Sequence, residues 1–160
     1  MPIPAWHEEP IAKHHNRNGF NCGEPELNEF LHKYARQSHE RGGWKTYVAI
    51  DDADGKTIHG YYSLSPASVQ DTPAYRLSRL AVNVSLQGKG LGTQLLLAAG
   101  RRCLRVASEA GGTVMVIDAK NDRVAAWYAM LGAMPLLDNP RILLLPLATI
   151  HEALAPAGKL

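Results

Sequence analysis

The sequence predicts a mixed α/β sandwich, and three observations lead there. Short β-rich runs alternate with helical runs along 160 residues, the pattern of helices layered on a sheet. A glycine-rich hexapeptide, Gln87-Gly88-Lys89-Gly90-Leu91-Gly92, joins an apolar extended run to a leucine-rich helical one. The composition, 46% apolar and 20% charged, is that of a globular chain able to bury one core. A single domain over 1–160 is expected, with a loose tail from about 149 to 160.

Ile11 to His15 reads as a short first strand. Cys22-Gly23-Glu24-Pro25 then opens a helix, with proline in the first turn and acids where the helix dipole favours them. Leu27, Phe30, Leu31 and Tyr34 recur at helical spacing and predict one apolar stripe. Lys45 to Ile50 is a strand, Asp51-Asp52-Ala53-Asp54-Gly55 carries hairpin-turn chemistry, and Thr57 to Leu64 returns. Pro66 to Pro73 reads as a loop and Tyr75 to Val84 as the next strand. A helix is expected from Leu91 to about Ala107, ending before Gly111-Gly112. Thr113 to Asp118 reads as a buried strand, and Asn121 to Leu131 as a helix closed by Gly132. Ile142 to Leu147 is the last strand, and Ala155 to Leu160 a frayed end.

A glycine turn opening a helix presents backbone N–H groups at the positive end of the helix dipole, an arrangement suited to phosphate or diphosphate. The glycines permit φ > 0 and close approach of a ligand, and Lys89 adds a mobile charge. A plain strand-to-helix turn uses glycine for steric reasons alone, so the hexapeptide by itself leaves both readings open. Neither G-x-x-x-x-G-K-[ST] nor G-x-G-x-x-G is present.

The net charge of +2 conceals an asymmetry. Between Thr72 and Ser108 there is no acid, while Arg76, Arg79, Lys89, Arg101, Arg102 and Arg105 give +6, leaving +2 minus 6, or −4, for the remainder. Such a field attracts a polyanion, although solvated arginines on a helix give the same count. Arg101, Arg102 and Arg105 share one arc of the helix after the glycine loop. Cys22 and Cys103 lack metal-ligand or disulfide spacing, so two reduced thiols and no metal are expected. His14-His15 is not a metal motif. Met1 to Glu9 shows neither a basic n-region nor an apolar h-region, and the run Ile142 to Leu147 is too short to span a bilayer; a cytoplasmic protein is expected.

Together with the preceding Arg79-Leu80-Ala81-Val82, the hexapeptide resembles the Q/R-x-x-G-x-G/A signature of the GNAT superfamily of N-acetyltransferases. Asn121 to Ala133 resembles that superfamily's N-x-x-A-x-x-[FW]-Y-x-x-x-G-F pattern, departing at Val124 and Ala133. Asn18-Gly19-Phe20-Asn21-Cys22-Gly23 with Leu27, Phe30 and Leu31, then Gly60-Tyr61-Tyr62-Ser63-Leu64, Ser78-Arg79-Leu80-Ala81-Val82 and Pro140 to Leu147, are similar to motifs of acetyltransferase toxins of type II toxin–antitoxin modules. Ser78 stands where those toxins carry Gly or Ala. The likeness runs from about 15 to 148, and the segment between Ser68 and Leu77 is shorter than in many such toxins.

The resemblance implies a GNAT fold, a mixed and mostly antiparallel central sheet flanked by helices. It implies acetyl-CoA as co-substrate, with Leu80, Ala81 and Val82 pairing with the pantetheine arm. Gln87, Gly88, Lys89, Gly90, Leu91, Gly92 and Thr93 would bind the diphosphate, Asn121 would contact the cofactor near the thioester, and Tyr128 would be the general acid. It further implies acetylation of the α-amino group of aminoacyl-tRNA, which blocks translation, a ribbon-helix-helix antitoxin as partner, and a homodimer. Arg36, Arg41, Lys45, Arg76 and Arg79 are the candidates for gripping acceptor-stem phosphates. Two other readings stand beside this one: an acetyltransferase of a small amine or protein N-terminus, and a non-catalytic CoA-binding module. On helical spacing alone, Tyr128 reads first as a core aromatic packed on the sheet.

Overall fold

A computed structural model describes residues 2–157. Its strands are β1 (Trp6–Pro10), β2 (Lys45–Asp51), β3 (Ile58–Val69), β4 (Thr72–Val82), β5 (Val114–Asp118), β6 (Met134–Pro135) and β7 (Ile142–Pro146). They form a seven-stranded sheet in the order β1-β2-β3-β4-β5-β7-β6. Its helices are α1 (Pro25–Glu29), α2 (Ala35–Glu40), α3 (Leu91–Ala110), α4 (Asp122–Met130) and α5 (Leu147–Leu154). The fold class is the expected one, a mixed and mostly antiparallel sheet with flanking helices. β1 with β2, β2 with β3, β5 with β7, and β6 with β7 all run antiparallel, while β4 and β5 run parallel over Tyr75–Leu77. The chain folds as two compact units, one holding the chain through Leu64 with Arg79–Leu96, the other Ser65–Ser78 with the chain from Leu97 onward.

In the first unit, Ile11, Phe20, Phe30, Leu31, Val48, Ile50, Ile58 and Tyr61 form one buried cluster, with Leu27 partly buried against it. The expected stripe is altered at its end. Phe30–Tyr34 is a π-turn, in which the Ala35 N–H bonds the Phe30 carbonyl five residues back. The extra residue in that turn rotates Tyr34 outward, to 53% exposure, and puts Ala35 into the core instead. The first strand also moves. It is Trp6–Pro10, paired with β2 from Trp6↔Asp51 to Pro10↔Tyr47, and Ile11 to His15 is a turn. There the His15 ring accepts the Ala12 N–H at 3.0 Å, removing a donor that a ladder would need.

The expected loop from Pro66 to Pro73 is instead the tip of a long hairpin. β3 continues to Val69, β4 starts at Thr72, and the two residues between them, Gln70 (φ 49°) and Asp71 (φ 65°), supply the positive φ of a tight turn.

In the second unit, Met115, Ile117, Leu143 and Leu145 are buried along β5 and β7. The tail expected from about 149 is ordered up to the end of the described residues. α5 buries Leu147, Ile150 and Leu154, and a short 3₁₀ turn, Ala155–Ala157, follows. The apolar spacing of those residues is what holds the helix down, with Gly100 leaving room for Ile150 against α3. Residues 158–160 of the expected frayed end lie outside the described residues.

Candidate active site

In the first unit, β4 continues to Val82, beyond Leu77, the last residue in register with β5. Leu80, Ala81 and Val82 therefore lie on the strand's final stretch. Behind them, the hydrogen of Gly60 on β3 faces the Ala81 carbonyl and the Leu95 side chain of α3. A Cβ at residue 60 would stand 2.9 Å from the former and 2.7 Å from the latter. Glycine at 60 thus lets α3 sit close on the sheet behind Ala81.

Asn83 then caps a 3₁₀ turn, Val84–Leu86, accepting the Ser85 N–H. Gln87 anchors the glycine loop, its side-chain amide donating to the Cys22 carbonyl at 2.7 Å and the Val82 carbonyl at 2.9 Å. Gly88 (φ 77°) and Gly90 (φ 90°) are both left-handed, and a Cβ at either would meet no atom within 4 Å. Space there is open, so the glycines are required by conformation rather than by crowding. α3 begins at once, with the Gln94 N–H taking the Gly90 carbonyl at 3.2 Å. The N–H groups of Leu91, Gly92 and Thr93 precede that bond and have no carbonyl behind them within the helix. Lys89 is exposed. An open loop, a twenty-residue helix opening from it and a lysine together fit an anionic diphosphate.

Of the residues expected to meet RNA, Arg41 and Arg79 line one cleft with Phe30, Tyr34 and Trp44. Lys45 donates to the His39 carbonyl at 2.8 Å. Arg36 is paired along its helix with Glu40 at 2.8 Å. Arg76 belongs to the second unit, where its guanidinium pairs with Asp118 at 2.6 Å, so much of its charge is offset. Trp44 also lines this cleft, and the motifs do not single it out. Its signal is an aromatic set between Gly42-Gly43 and Lys45 in an otherwise polar stretch.

The second unit carries Asn121 and Tyr128 on one helix. Asn121 is the N-cap of α4, its side chain accepting the Val124 N–H at 2.9 Å. This capping role accounts for an asparagine here in local terms. Tyr128 is 3% exposed, its ring edge-on to Trp127 with centroids 4.9 Å apart. Burial pushes its phenol above the ordinary tyrosine range, so the hydroxyl keeps its proton at neutral pH. Both cysteines are buried free thiols, and burial lifts Cys103 to about 12. Arg101 and Arg105 are exposed on α3, and Arg102 is half-buried.

Glu9, His14 and His15 converge closely enough to suggest a metal site. The hydrogen bonds argue otherwise. His15 accepts the Ala12 N–H on Nδ1, so its proton resides on Nε2, which donates to Glu9 at 2.9 Å. That tautomer has no lone pair facing the cluster. The group is a carboxylate collecting imidazole donors, His7 among them.

Known proteins resemble this chain in sequence and in fold. The acetyltransferase (GNAT) domain family matches residues 42–132. A "tRNA-acetylating toxin" of Mycobacterium tuberculosis is 34% identical over 123 residues, covering 68% of this chain and 72% of the relative. A "probable toxin TacT" of Sinorhizobium fredii is 27% identical over 168 residues, covering 90% and 92%. Among solved structures, AtaTR bound with acetyl-CoA superimposes with a TM-score of 0.88 at 26% identity, covering 92% of this chain and 97% of that one. The KacTA–DNA complex gives 0.88 at 28%, covering 95% and 99%. The matched domain takes in the glycine loop, Asn121 and Tyr128, and the chain belongs to the GNAT acetyltransferase family.

Proposed function

We propose that this protein acetylates the α-amino group of aminoacyl-tRNA with acetyl-CoA and so blocks translation, as the toxin of a toxin–antitoxin pair. The glycine loop opening α3 carries the acetyl-CoA half of the reading. The acceptor half is supported by the likeness to the tRNA-acetylating relative.

Acetyl-CoA supplies an activated acetyl group as a thioester. The backbone of Leu80, Ala81 and Val82 pairs with its pantetheine arm as an added strand would, and an N–H there, that of Val82, polarises the reacting carbonyl. Gln87, Gly88, Lys89, Gly90, Leu91, Gly92 and Thr93 hold the diphosphate. In this loop the Gln87 side-chain amide braces the backbone, and the backbone N–H groups and Lys89 make the contact. Asn121 contacts the cofactor near its thioester. Tyr128, protonated at neutral pH, gives its proton to the departing sulfur. The attacking amine needs no strong base, because an α-amino group ionises at about pH 8 and an ester neighbour lowers that value. Positioning then supplies much of the rate.

The chain acts as one acetyltransferase domain in the cytoplasm, as a homodimer restrained by a ribbon-helix-helix antitoxin. Among the described residues no helix is long and apolar enough to cross a membrane. An acceptor panel tests the reading. Aminoacyl-tRNA should be acetylated with a rate that falls steeply with salt, because phosphate contacts are lost with counterion release. Turnover of polyamines or peptides in preference to aminoacyl-tRNA, with little salt dependence, would replace it with an ordinary amine acetyltransferase.

A further inference from the structure

The segment Phe20-Asn21-Cys22-Gly23 before α1 belongs to neither a helix nor a strand, and the chemistry above gives it no task. Its backbone is nevertheless tied on several sides. Three successive carbonyls are each captured by a different residue. The His32 ring donates to the Phe20 carbonyl at 2.9 Å, the Val84 N–H to that of Asn21 at 2.8 Å, and the Gln87 side-chain amide to that of Cys22 at 2.7 Å. Val84 opens the 3₁₀ turn that leads into the glycine loop, and Gln87 closes it. The segment is thus the surface against which the start of that loop is held.

Two asparagines fix the segment itself. Asn28, half-buried on α1, accepts the Cys22 N–H on Oδ1 at 2.9 Å and donates from Nδ2 to Asn21 Oδ1 at 2.9 Å. Asn21 Oδ1 also accepts the Gly23 N–H at 2.9 Å. Asn28 therefore uses both ends of its amide, whereas the Asn21 side chain acts here only as an acceptor. The stretch of α1 that carries Asn28 is anchored in turn. The Asn28 N–H bonds the Glu24 carbonyl at 3.0 Å, and the neighbouring Leu27 carbonyl takes the hydroxyl of buried Tyr61 at 2.7 Å.

We propose that Asn28 is a positioning residue for the acetyl-CoA site: through Asn21 and Cys22 it fixes the segment that holds Val84 and Gln87, and with them the glycine loop. This deepens the proposed function and rests on it. Space beside Gly88 and Gly90 is open, so packing does little to aim the loop, and the hydrogen bonds at its start matter more. A loop ordered before the ligand arrives spares binding the cost of ordering it. The residues concerned all lie in the first unit, while Tyr128 lies in the second, so loss of Asn28 should act on acetyl-CoA binding and not on proton transfer.

Calorimetric titration of the full chain with acetyl-CoA tests this, alongside amide hydrogen exchange at Val84 in the free protein. Asn28→Ala should weaken acetyl-CoA binding about five- to tenfold, since only part of the worth of two hydrogen bonds reaches the ligand. It should also speed Val84 exchange about tenfold. Asn21→Ala should behave alike, and Asn21→Asp, which keeps both acceptor roles, should recover most of the lost affinity. In transfer assays Asn28→Ala should raise KM for acetyl-CoA by the same factor with kcat within about twofold. A chain that is merely less stable loses active fraction, and so kcat, at unchanged KM. Wild-type affinity in a folded Asn28→Ala chain, or Asn21→Asp binding as weakly as Asn21→Ala, would overturn the assignment; should Asn28→Ala not fold, the two Asn21 variants decide. Unchanged Val84 exchange in Asn28→Ala would remove this role and leave the proposed function standing. A wild-type chain that binds no acetyl-CoA would remove the proposed function and this role with it.

Discussion

Gln87 reaches back to the carbonyl of Cys22, 65 residues earlier in the chain, and to that of Val82 on its own strand. One side-chain amide thus ties the glycine loop both to the segment before α1 and to the end of β4. Replacing it by alanine should cost about 1–2 kcal/mol of stability, since each such bond contributes about 0.5–1.5 kcal/mol net. Gln87→Ala should also weaken acetyl-CoA binding several-fold, because the loop loses its preorganisation. Denaturant unfolding and calorimetric titration with acetyl-CoA check both.

Gly60 gives a sharper stability test. The Ala81 carbonyl is backbone and cannot retreat from a methyl group 2.9 Å away. Gly60→Ala should destabilise the protein by about 1–3 kcal/mol through overpacking, read as a lowered denaturation midpoint. Gly55→Ala is the comparison. That residue has φ 67° and no neighbour within 4 Å, so its cost is conformational only.

Tyr128 governs the expected pH profile. Its folded-state pKa is raised by burial, so the phenol remains protonated across the neutral and mildly alkaline range. Initial rates should therefore climb as the acceptor amine loses its proton and then level off, with no alkaline fall up to about pH 9. Tyr128→Phe should lower kcat at least about 100-fold, the scale of general acid catalysis, with acetyl-CoA affinity retained. Steady-state kinetics with a parallel binding titration separate the two.

The cluster around Glu9 predicts how stability follows pH. His7 is raised above 6.5 by its hydrogen bonds to Asp52 and Glu9, so its contribution is full below about 6.5 and is lost as pH rises through the raised value. Glu9 is lowered from 4.5, chiefly by its bond from His15, so its contribution is present above about 4.5 and is lost as pH falls. Thermal midpoints should be highest between those limits, with a shallow slope because His7 is exposed. His7→Ala should flatten the alkaline side of that curve.

Much of this architecture is legible in the residues. The glycine loop, α3, β5 and the Asn121-capped helix come from local chemistry, namely glycine at positive φ, a side-chain cap and apolar periodicity. The features that depart from expectation have non-local causes. A helical repeat cannot announce a π-turn, so periodicity assigns Tyr34 to the stripe that Ala35 completes. Gln70 and Asp71 carry a tight turn between two prolines whose spacing suggests a loop. β1 is polar in sequence and is a strand because β2 lies beside it. α5 owes its order to the buried Leu147, Ile150 and Leu154. For the candidate site, the glycine loop before α3 and the position of Tyr128 on α4 are legible in the sequence. Motifs pass over Trp44, whose place in the cleft comes from packing on Phe30 and Arg79.

Acetylation of aminoacyl-tRNA is tested most directly by incubating the protein with labelled acetyl-CoA and aminoacylated tRNA and following label in the RNA. Label should leave the RNA as an N-acetyl amino acid when the ester is hydrolysed, and should be strongly diminished with Tyr128→Phe. Unlabelled RNA under conditions in which another amine is acetylated, or full labelling by the phenylalanine variant, would contradict the proposed function.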